Sequence, residues 1–286
     1  MKISVIVPVY NRFENLRALV ICLINQKVQP YELLIADDGS SQNLEEFIGD
    51  LLAKIKFKVK YIYQEDKGFR KTRALNNGVR NAEGDVLVFC DQDLIFPEDY
   101  LEKVKSKIKK GEFLMGRLHF TTQEEKNRII DILDKNGSYM DIINNVGENY
   151  TKNVNRLYRM DMRRRIMKNL FLSKRGIRLA GASYAIYKED YISVNGYDER
   201  YQGWGCEDDD FGNRLESKGI RGKELVTDLI QLHLYHPISE SAKKSLNEEY
   251  YYKRKKEIFN EKKYFCEYGY NNTIDDDKIK NIELKK

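Results

Sequence analysis

The sequence predicts an α/β fold, with a mainly parallel central sheet flanked by helices. Three observations carry that expectation. Over the first 100 residues, β-branched runs alternate with stretches of helical apolar spacing. Each apolar run is short and ends at once in polar residues. The helical stretches are long enough to serve as the crossovers that parallel strands require.

Taken in order, Ile3-Ser4-Val5-Ile6-Val7 is a β-branched run, expected to stop at Pro8. Leu16, Leu19, Val20 and Leu23 recur at helical spacing and predict a helix over 15–25. Glu32 to Ala36 reads as a second strand, closed by the turn residues Asp37-Asp38-Gly39-Ser40. Leu44 to Ile55 predicts a helix, Lys58 to Tyr63 a third strand and Arg70 to Ala82 a helix ending before Gly84. Asp85 to Cys90 is the fourth strand. Residues 100–175 are rich in Lys, Arg and Asn and predict helices, as at Tyr100 to Lys110 and Gln123 to Leu133. A mixed pattern returns over 176–238, and 239–286 reads as a charged helical tail.

Composition narrows the function classes. Hydrophobic residues at 41% supply a core and argue against a disordered chain. No apolar run approaches the roughly 18 to 20 residues of a membrane span, and the N-terminal run reads as a strand, not a leader. The expected address is the cytoplasm. A net charge of +5 with no concentrated basic surface argues against nucleic acid as a partner. Cys22, Cys90, Cys206 and Cys266 lie far apart with no CxxC, which argues against a zinc or redox pair.

In parallel sheets, functional groups gather beyond the carboxyl ends of the strands. Here four strands end in Tyr10-Asn11-Arg12, Asp37-Asp38, Glu65-Asp66-Lys67 and Asp91-Gln92-Asp93. Paired carboxylates such as Asp91 and Asp93 suit Mg2+ or Mn2+ with diphosphate oxygens; in isolation the same pattern is a solvated turn or helix cap. Asp38 could bind a ribose or base, and Tyr10 could stack on a nucleobase or simply pack. Asp66-Lys67-Gly68-Phe69-Arg70-Lys71 precedes a helix, where cations suit a diphosphate or form a solvated loop. Gly203-Trp204-Gly205-Cys206 holds the only Trp and leads into four consecutive acids, Glu207 to Asp210. Such acids favour a helix N-terminus, and when partly buried their raised pKa suits a general base. His233 and His236 are two of three histidines, at a spacing that brings a metal site into play.

Ile3 to Asn11, Asp37-Asp38-Gly39-Ser40 and Asp91-Gln92-Asp93 together resemble the GT-A glycosyltransferases of family 2. Gly181-Ala182-Ser183, Asn195-Gly196-Tyr197 and the Gly203 to Asp210 stretch are similar to the β-1,4-galactosyltransferase group and to bacterial chondroitin-type polymerase domains. The resemblance implies a Rossmann-like GT-A fold and inverting transfer from a UDP-sugar, Gal or GalNAc favoured, with Mn2+ or Mg2+. It implies that Asp93 and His236 ligate the metal, with His233 standing where Met is usual. Asp91 would hold the ribose or donor sugar, and Asp208 would be the base. Gly181, Trp204 and Glu207 would face donor sugar and acceptor. Pro8, Tyr10, Arg12 and Asp38 would form the uridine end, with Asp66, Lys67 and Arg70 beside the diphosphate. Cys206 replaces a usual glycine.

On this basis residues 1–238 form the transferase domain: 1–100 the nucleotide-binding half, 100–175 a helical acceptor-side insertion, 176–238 the acceptor and catalytic half. The implied acceptor is a glycan or lipid-linked oligosaccharide in bacterial surface polysaccharide synthesis. Arg163 to Arg165 and Lys253 to Lys256 could touch anionic lipid at the inner face of the plasma membrane, or be solvated helix faces. The alternatives are a noncatalytic sugar- or nucleotide-binding module, which does not need Asp93, Asp208 and His236 together, and a nucleotidyltransferase. The latter wants a Gly-rich phosphate loop after the first strand, which Pro8 to Arg12 is not.

Overall fold

A computed structural model describes residues 1–146, 148–170, 177–224, 230–237 and 245–286. The first half runs β1 (Ile3–Val9), α1 (Phe13–Ile24), β2 (Glu32–Asp37), α2 (Leu44–Ile48), β3 (Lys58–Tyr63), α3 (Lys71–Asn81) and β4 (Val86–Cys90). There follow β5 (Leu94–Ile95), α4 (Tyr100–Lys107), β6 (Glu112–Met115), β7 (Arg117–Phe120), α5 (Gln123–Asp134), α6 (Tyr139–Val146) and α7 (Glu148–Asn169). The remainder holds β8 (Ser183–Tyr187), α8 (Lys188–Ile192), α9 (Glu207–Lys218), β9 (Arg221–Glu224), β10 (Ile230–His233), α10 (Glu248–Glu261) and β11 (Lys280–Lys285).

The main sheet has the order β11-β3-β2-β1-β4-β8-β6-β9, and a small sheet has the order β5-β10-β7. Strands β3, β2, β1 and β4 are mutually parallel, as the alternating pattern requires. Their side chains alternate between two cores. Val5, Val7, Leu33 and Ile35 pack with Leu16, Leu19 and Leu23 of α1. Ile6, Leu34 and Ala36 pack on the other face with Leu75 and Val79 of α3 and Phe211 and Leu215 of α9. Burial on both faces explains why β1 and β2 read as continuous apolar runs.

Several elements differ from the sequence expectation. Strand β1 does not stop at Pro8; it continues to Val9, with Pro8 opposite Ala36. Its pairing with β4 ends at Ile6, so Pro8 lies where that side of the strand is an edge and a missing N–H costs no ladder bond. The helix expected to Ile55 ends at Ile48, and Gly49–Leu51 continue only as a tight 3-10 turn. The 100–175 segment is not wholly helical, because β6 joins the main sheet and β7 the small one. The sheet is mixed rather than mainly parallel beyond β4: β8 is antiparallel to both β4 and β6. The last 48 residues are not simply a helical tail, since β11 pairs antiparallel with β3 and covers that edge of the sheet. The expected boundaries near residues 175 and 238 fall outside the described residues.

Candidate active site

The end of β4 delivers Asp91-Gln92-Asp93 to the carboxyl edge of the sheet. Immediately afterwards β5 pairs antiparallel with β10, placing His233 opposite Leu94. The Leu234 amide donates to the Asp93 carbonyl at 2.8 Å. This short ladder is what brings distant segments together. His233 Nε2 lies 3.5 Å from Asp93 Oδ1, and His236 Nε2 lies 3.3 Å from Oδ2. One ligand atom from each of the three residues falls within 4.8 Å of the others. Asp93 is 3% exposed, yet its Oδ1 has no hydrogen-bond partner. Burial first, then Asp91, lifts the Asp93 carboxyl above its usual range; His233 and His236 oppose that. His236 Nδ1 sits 3.0 Å from the Pro237 carbonyl, a contact that orients the ring with Nε2 towards Asp93. A buried carboxylate with an unfilled acceptor and two imidazoles is a donor set that fits a divalent cation. Arg12 Nη1 stands 3.9 Å from Asp93 Oδ2, on a turn where Asn11 and Arg12 both adopt φ 54°.

The second cluster grows from the start of α9. The preceding loop turns through Gly203 (φ 76°), Gly205 (φ 99°) and Cys206 (φ 75°). Cys206 holds a left-handed conformation at the cost of Cβ strain that glycine would not carry. The four acids then part company. Asp210 pairs with Arg214 at 2.6 Å, both fully buried, while Arg214 also donates to the Val194 and Gly196 carbonyls. Asp209 pairs with Arg178 towards solvent. These two are architectural.

Asp208 and Glu207 face inward to the cleft. Tyr197 Oη donates to Asp208 Oδ1 at 2.9 Å. A Cβ on Gly181 would lie 2.0 Å from that same oxygen, so only glycine leaves room for the carboxylate. Burial raises the Asp208 carboxyl above its usual range, and Lys71 and Tyr197 pull it back. Glu207 is 7% exposed with Oε2 unpartnered, and burial, then Asp208, pushes it up to about 7. Lys71, the first residue of α3, donates to Asp91 Oδ1 at 2.8 Å. Burial works against the Lys71 charge, but Asp91, Asp208 and Glu207 hold it protonated. Sequence reasoning quoted Lys71 without giving it a role. The usable signal was its place at a helix start on the same sheet edge as Asp91.

The Asp91-Gln92-Asp93 tripeptide therefore joins the two clusters: Asp93 meets the histidines, and Asp91 meets Lys71. Its hold on the second cluster is reinforced by the Asp91 amide, which donates to Ala182 O at 2.9 Å, one residue beyond Gly181.

At the other end of the cleft Tyr10 is 45% exposed, and its Oη donates to Asp66 Oδ2 at 2.9 Å. Trp204 is half-exposed, on a loop tied by Gly203 N to the Phe69 carbonyl at 2.9 Å. Pro8 lies in β1, just before this turn. Asp38, Arg70 and Lys67 each have partners within the chain. Asp38 is buried and turned inward; its Oδ2 accepts the Arg70 amide and its Oδ1 the Gln64 side chain, both at 2.6 Å. Burial pushes it up to about 6. Arg70 is buried and Lys67 exposed, and both meet acids of the C-terminal segment. Arg70 pairs with Asp277 at 2.7 Å and Asp275 at 3.1 Å, and Lys67 pairs with Asp277. The C-terminal segment supplies the anions that a diphosphate was expected to supply. Of the two basic clusters, Lys253 to Lys256 lies on α10 and Arg163 on α7; the side chains of Arg164 and Arg165 lie outside the described residues. Among the described residues, no helix is long and apolar enough to cross a membrane.

Comparison with known proteins agrees with this architecture. The profile for the N-terminal domain of galactosyltransferase matches residues 163–237, the stretch carrying Gly181, the α9 acids and both histidines. The chain is 30% identical over 232 residues to the chondroitin synthase of Escherichia coli, covering 76% of this chain and 32% of that protein. It thus spans about a third of that relative's length. The structure of Staphylococcus aureus TarS residues 1–349 in complex with UDP superposes with a TM-score of 0.54 at 17% identity, covering 83% of this chain and 61% of that one. GalNAc-T7 with UDP, GalNAc and Mn2+ gives 0.56 at 14% identity, covering 92% and 49%. These neighbours share the GT-A fold. The profile for glycosyl transferase family 2 matches residues 4–175, the stretch that builds the parallel sheet and its Asp91-Gln92-Asp93 edge, and the chain belongs to that family.

Proposed function

We propose that the chain transfers a hexose or N-acetylhexosamine, Gal or GalNAc favoured, from a UDP-sugar to a glycan hydroxyl with inversion. The observation that carries this is the junction at Asp91-Gln92-Asp93, where a cation-type donor set and a paired-acid cluster share one strand end. Asp93, His233 and His236 would hold Mn2+ or Mg2+, which when bound offsets charge on the departing diphosphate. Asp208 takes the acceptor hydroxyl proton as the new C–O bond forms at the anomeric carbon. The bond to the UDP oxygen breaks on the opposite face, and its electron pair leaves with UDP. Tyr197 fixes Asp208 Oδ1, and the Lys71 charge opposes the upward push that burial gives the Asp208 carboxyl. Trp204 and Glu207 border the sugars, with Tyr10 and Arg12 at the uridine end.

Likeness to a chondroitin synthase and a hyaluronan synthase supports a polysaccharide product and hence a role in bacterial surface glycan synthesis. A screen of UDP release from UDP-Gal, UDP-GalNAc, UDP-Glc and UDP-GlcNAc tests the donor. Turnover is expected with a Gal or GalNAc donor, lost in chelator and restored by Mn2+. Full turnover in excess chelator contradicts the metal assignment, and release from none of the four contradicts the donor class.

A cytoplasmic site of action against the inner membrane face is supported by α7, which exposes Tyr158, Met160, Met162, Ile166 and Met167 beside Arg156, Arg159 and Arg163. Exposed apolar and basic side chains on one helix suit an anionic bilayer surface. Co-sedimentation with phosphatidylglycerol vesicles and not with phosphatidylcholine vesicles is expected; equal recovery in both pellets contradicts it.

A further inference from the structure

We propose that a cavity between α9, α10 and the loop over 262–272 is a second binding site, one that takes an acidic saccharide. It measures about 890 Å3, within the range of ligand pockets. Its wall carries Arg200, Lys218, Lys253, Arg254, Lys262 and Lys263 against only Glu257 and Glu267. Both acids are already engaged, Glu257 with Arg254 at 2.6 Å and Glu267 with Arg200 at 3.2 Å. Among the described residues, the Lys253 and Lys262 ammonium groups have no hydrogen-bond or ion-pair partner. Arg254 lines the cavity with its guanidinium held by Glu257 and the Lys263 carbonyl. Arg200 and Lys263 are also met, by Asp198 and Glu261, so the cations left over among the described residues are Lys218, Lys253 and Lys262, and they specify an anion, a carboxylate or phosphate.

Tyr250, Tyr264 and the half-exposed Phe265 add aromatic surface to the same wall. Aromatic faces interleaved with cations suit a ligand having apolar C–H faces and anionic groups together, which an acidic sugar has and a bare ion lacks. The position is also apt. Helix α9 starts at Glu207 beside the proposed base and ends at Lys218 in the cavity wall. At 1.5 Å per residue the two ends are roughly 16 Å apart, so the sites are separate but lie on one rigid element. This inference rests on the transferase proposal for its saccharide, and not for its anion. The cavity would grip an acidic part of the acceptor away from the reacting hydroxyl.

The test is calorimetric titration of the full chain with a hyaluronan hexasaccharide, neutral maltohexaose and inorganic phosphate, each without donor. The hexasaccharide is expected to bind, to weaken as salt rises, and to lose at least tenfold in affinity in the double variant Lys253→Gln with Lys262→Asn. Asn tolerates the left-handed φ of 58° at residue 262, so the variant keeps its fold. UDP binding is measured in the same samples and is expected to be unchanged, which separates this site from the donor site. No hexasaccharide binding, equal binding of maltohexaose, phosphate binding as tightly as the hexasaccharide, or binding indifferent to the two substitutions overturns the proposal. UDP-sugar turnover without any hexasaccharide binding would sink this site alone and leave the transferase proposal standing.

Discussion

Glu207 holds a carboxyl that the fold makes no effort to satisfy: its Oε2 is unpartnered and its titration is pushed up to about 7. Stability given up in this way is common where chemistry is done. The sign is definite. A carboxyl raised from its ordinary 4.5 contributes stability that is present below 4.5 and lost as pH climbs through about 7. Replacing it by the neutral amide should therefore help most in alkali. Urea unfolding of Glu207→Gln is expected to show a gain of about 2 kcal/mol at pH 8.5 that fades by pH 4.5. An equal effect at both pH values would remove the buried-charge explanation. The Gly203-Trp204-Gly205 stretch was legible residue by residue, because glycine and a lone Trp are unusual neighbours before acids. The conformation taken by Cys206 was not, since a positive φ leaves no trace in the sequence of a non-glycine residue. The inward turn of Asp38 was hidden for a similar reason: its partners, Gln64 and the Arg70 amide, lie 26 and 32 positions away.

Among the elements, β11 and the turn before it alter most. Arg73 is 2% exposed and meets Asp275 at 2.5 Å, and Arg70 meets both Asp275 and Asp277. These carboxylates anchor the segment that finishes the sheet on β3. Lys67 first, then Arg70, holds the Asp277 carboxyl well below the usual carboxylate range. An acid depressed in this way contributes stability that is present above its unfolded value and lost as pH falls. Protection of the β11 amides against hydrogen exchange, relative to the intrinsic rate at each pH, should thus be high at pH 7 and fall below about pH 4. The double variant Asp275→Asn with Asp277→Asn should show that loss of protection already at pH 7. Unchanged protection in that variant would mean that the strand pairing alone holds the segment. The sequence pattern missed β11 because Lys280 to Lys285 is half charged and mostly exposed, which removes the apolar alternation that marks a strand.

Across the whole molecule, the parallel half was legible because strands buried on both faces leave unbroken apolar runs between helical repeats. The antiparallel half was less so: β6, β9 and β10 are four residues each, too short to show a period. The Asp93, His233 and His236 set was implied by the family resemblance, with the histidine spacing pointing only to some metal site, and the small-sheet ladder explains physically why those distant residues meet. The ion pairs of Lys67 and Arg70 depend on partners some two hundred residues downstream, and no local pattern announces that pairing. The central claim is that the chain's two clusters divide the labour, one holding the donor and the other, through Asp208, removing the acceptor proton. Parallel titration of UDP-sugar binding and measurement of transfer in Asp208→Asn tests this most directly. Donor affinity within a factor of about two of the parent, with transfer reduced by about a thousandfold or more, is the predicted result. Transfer at the parental rate, or a loss of donor binding matching the loss of transfer, would contradict it.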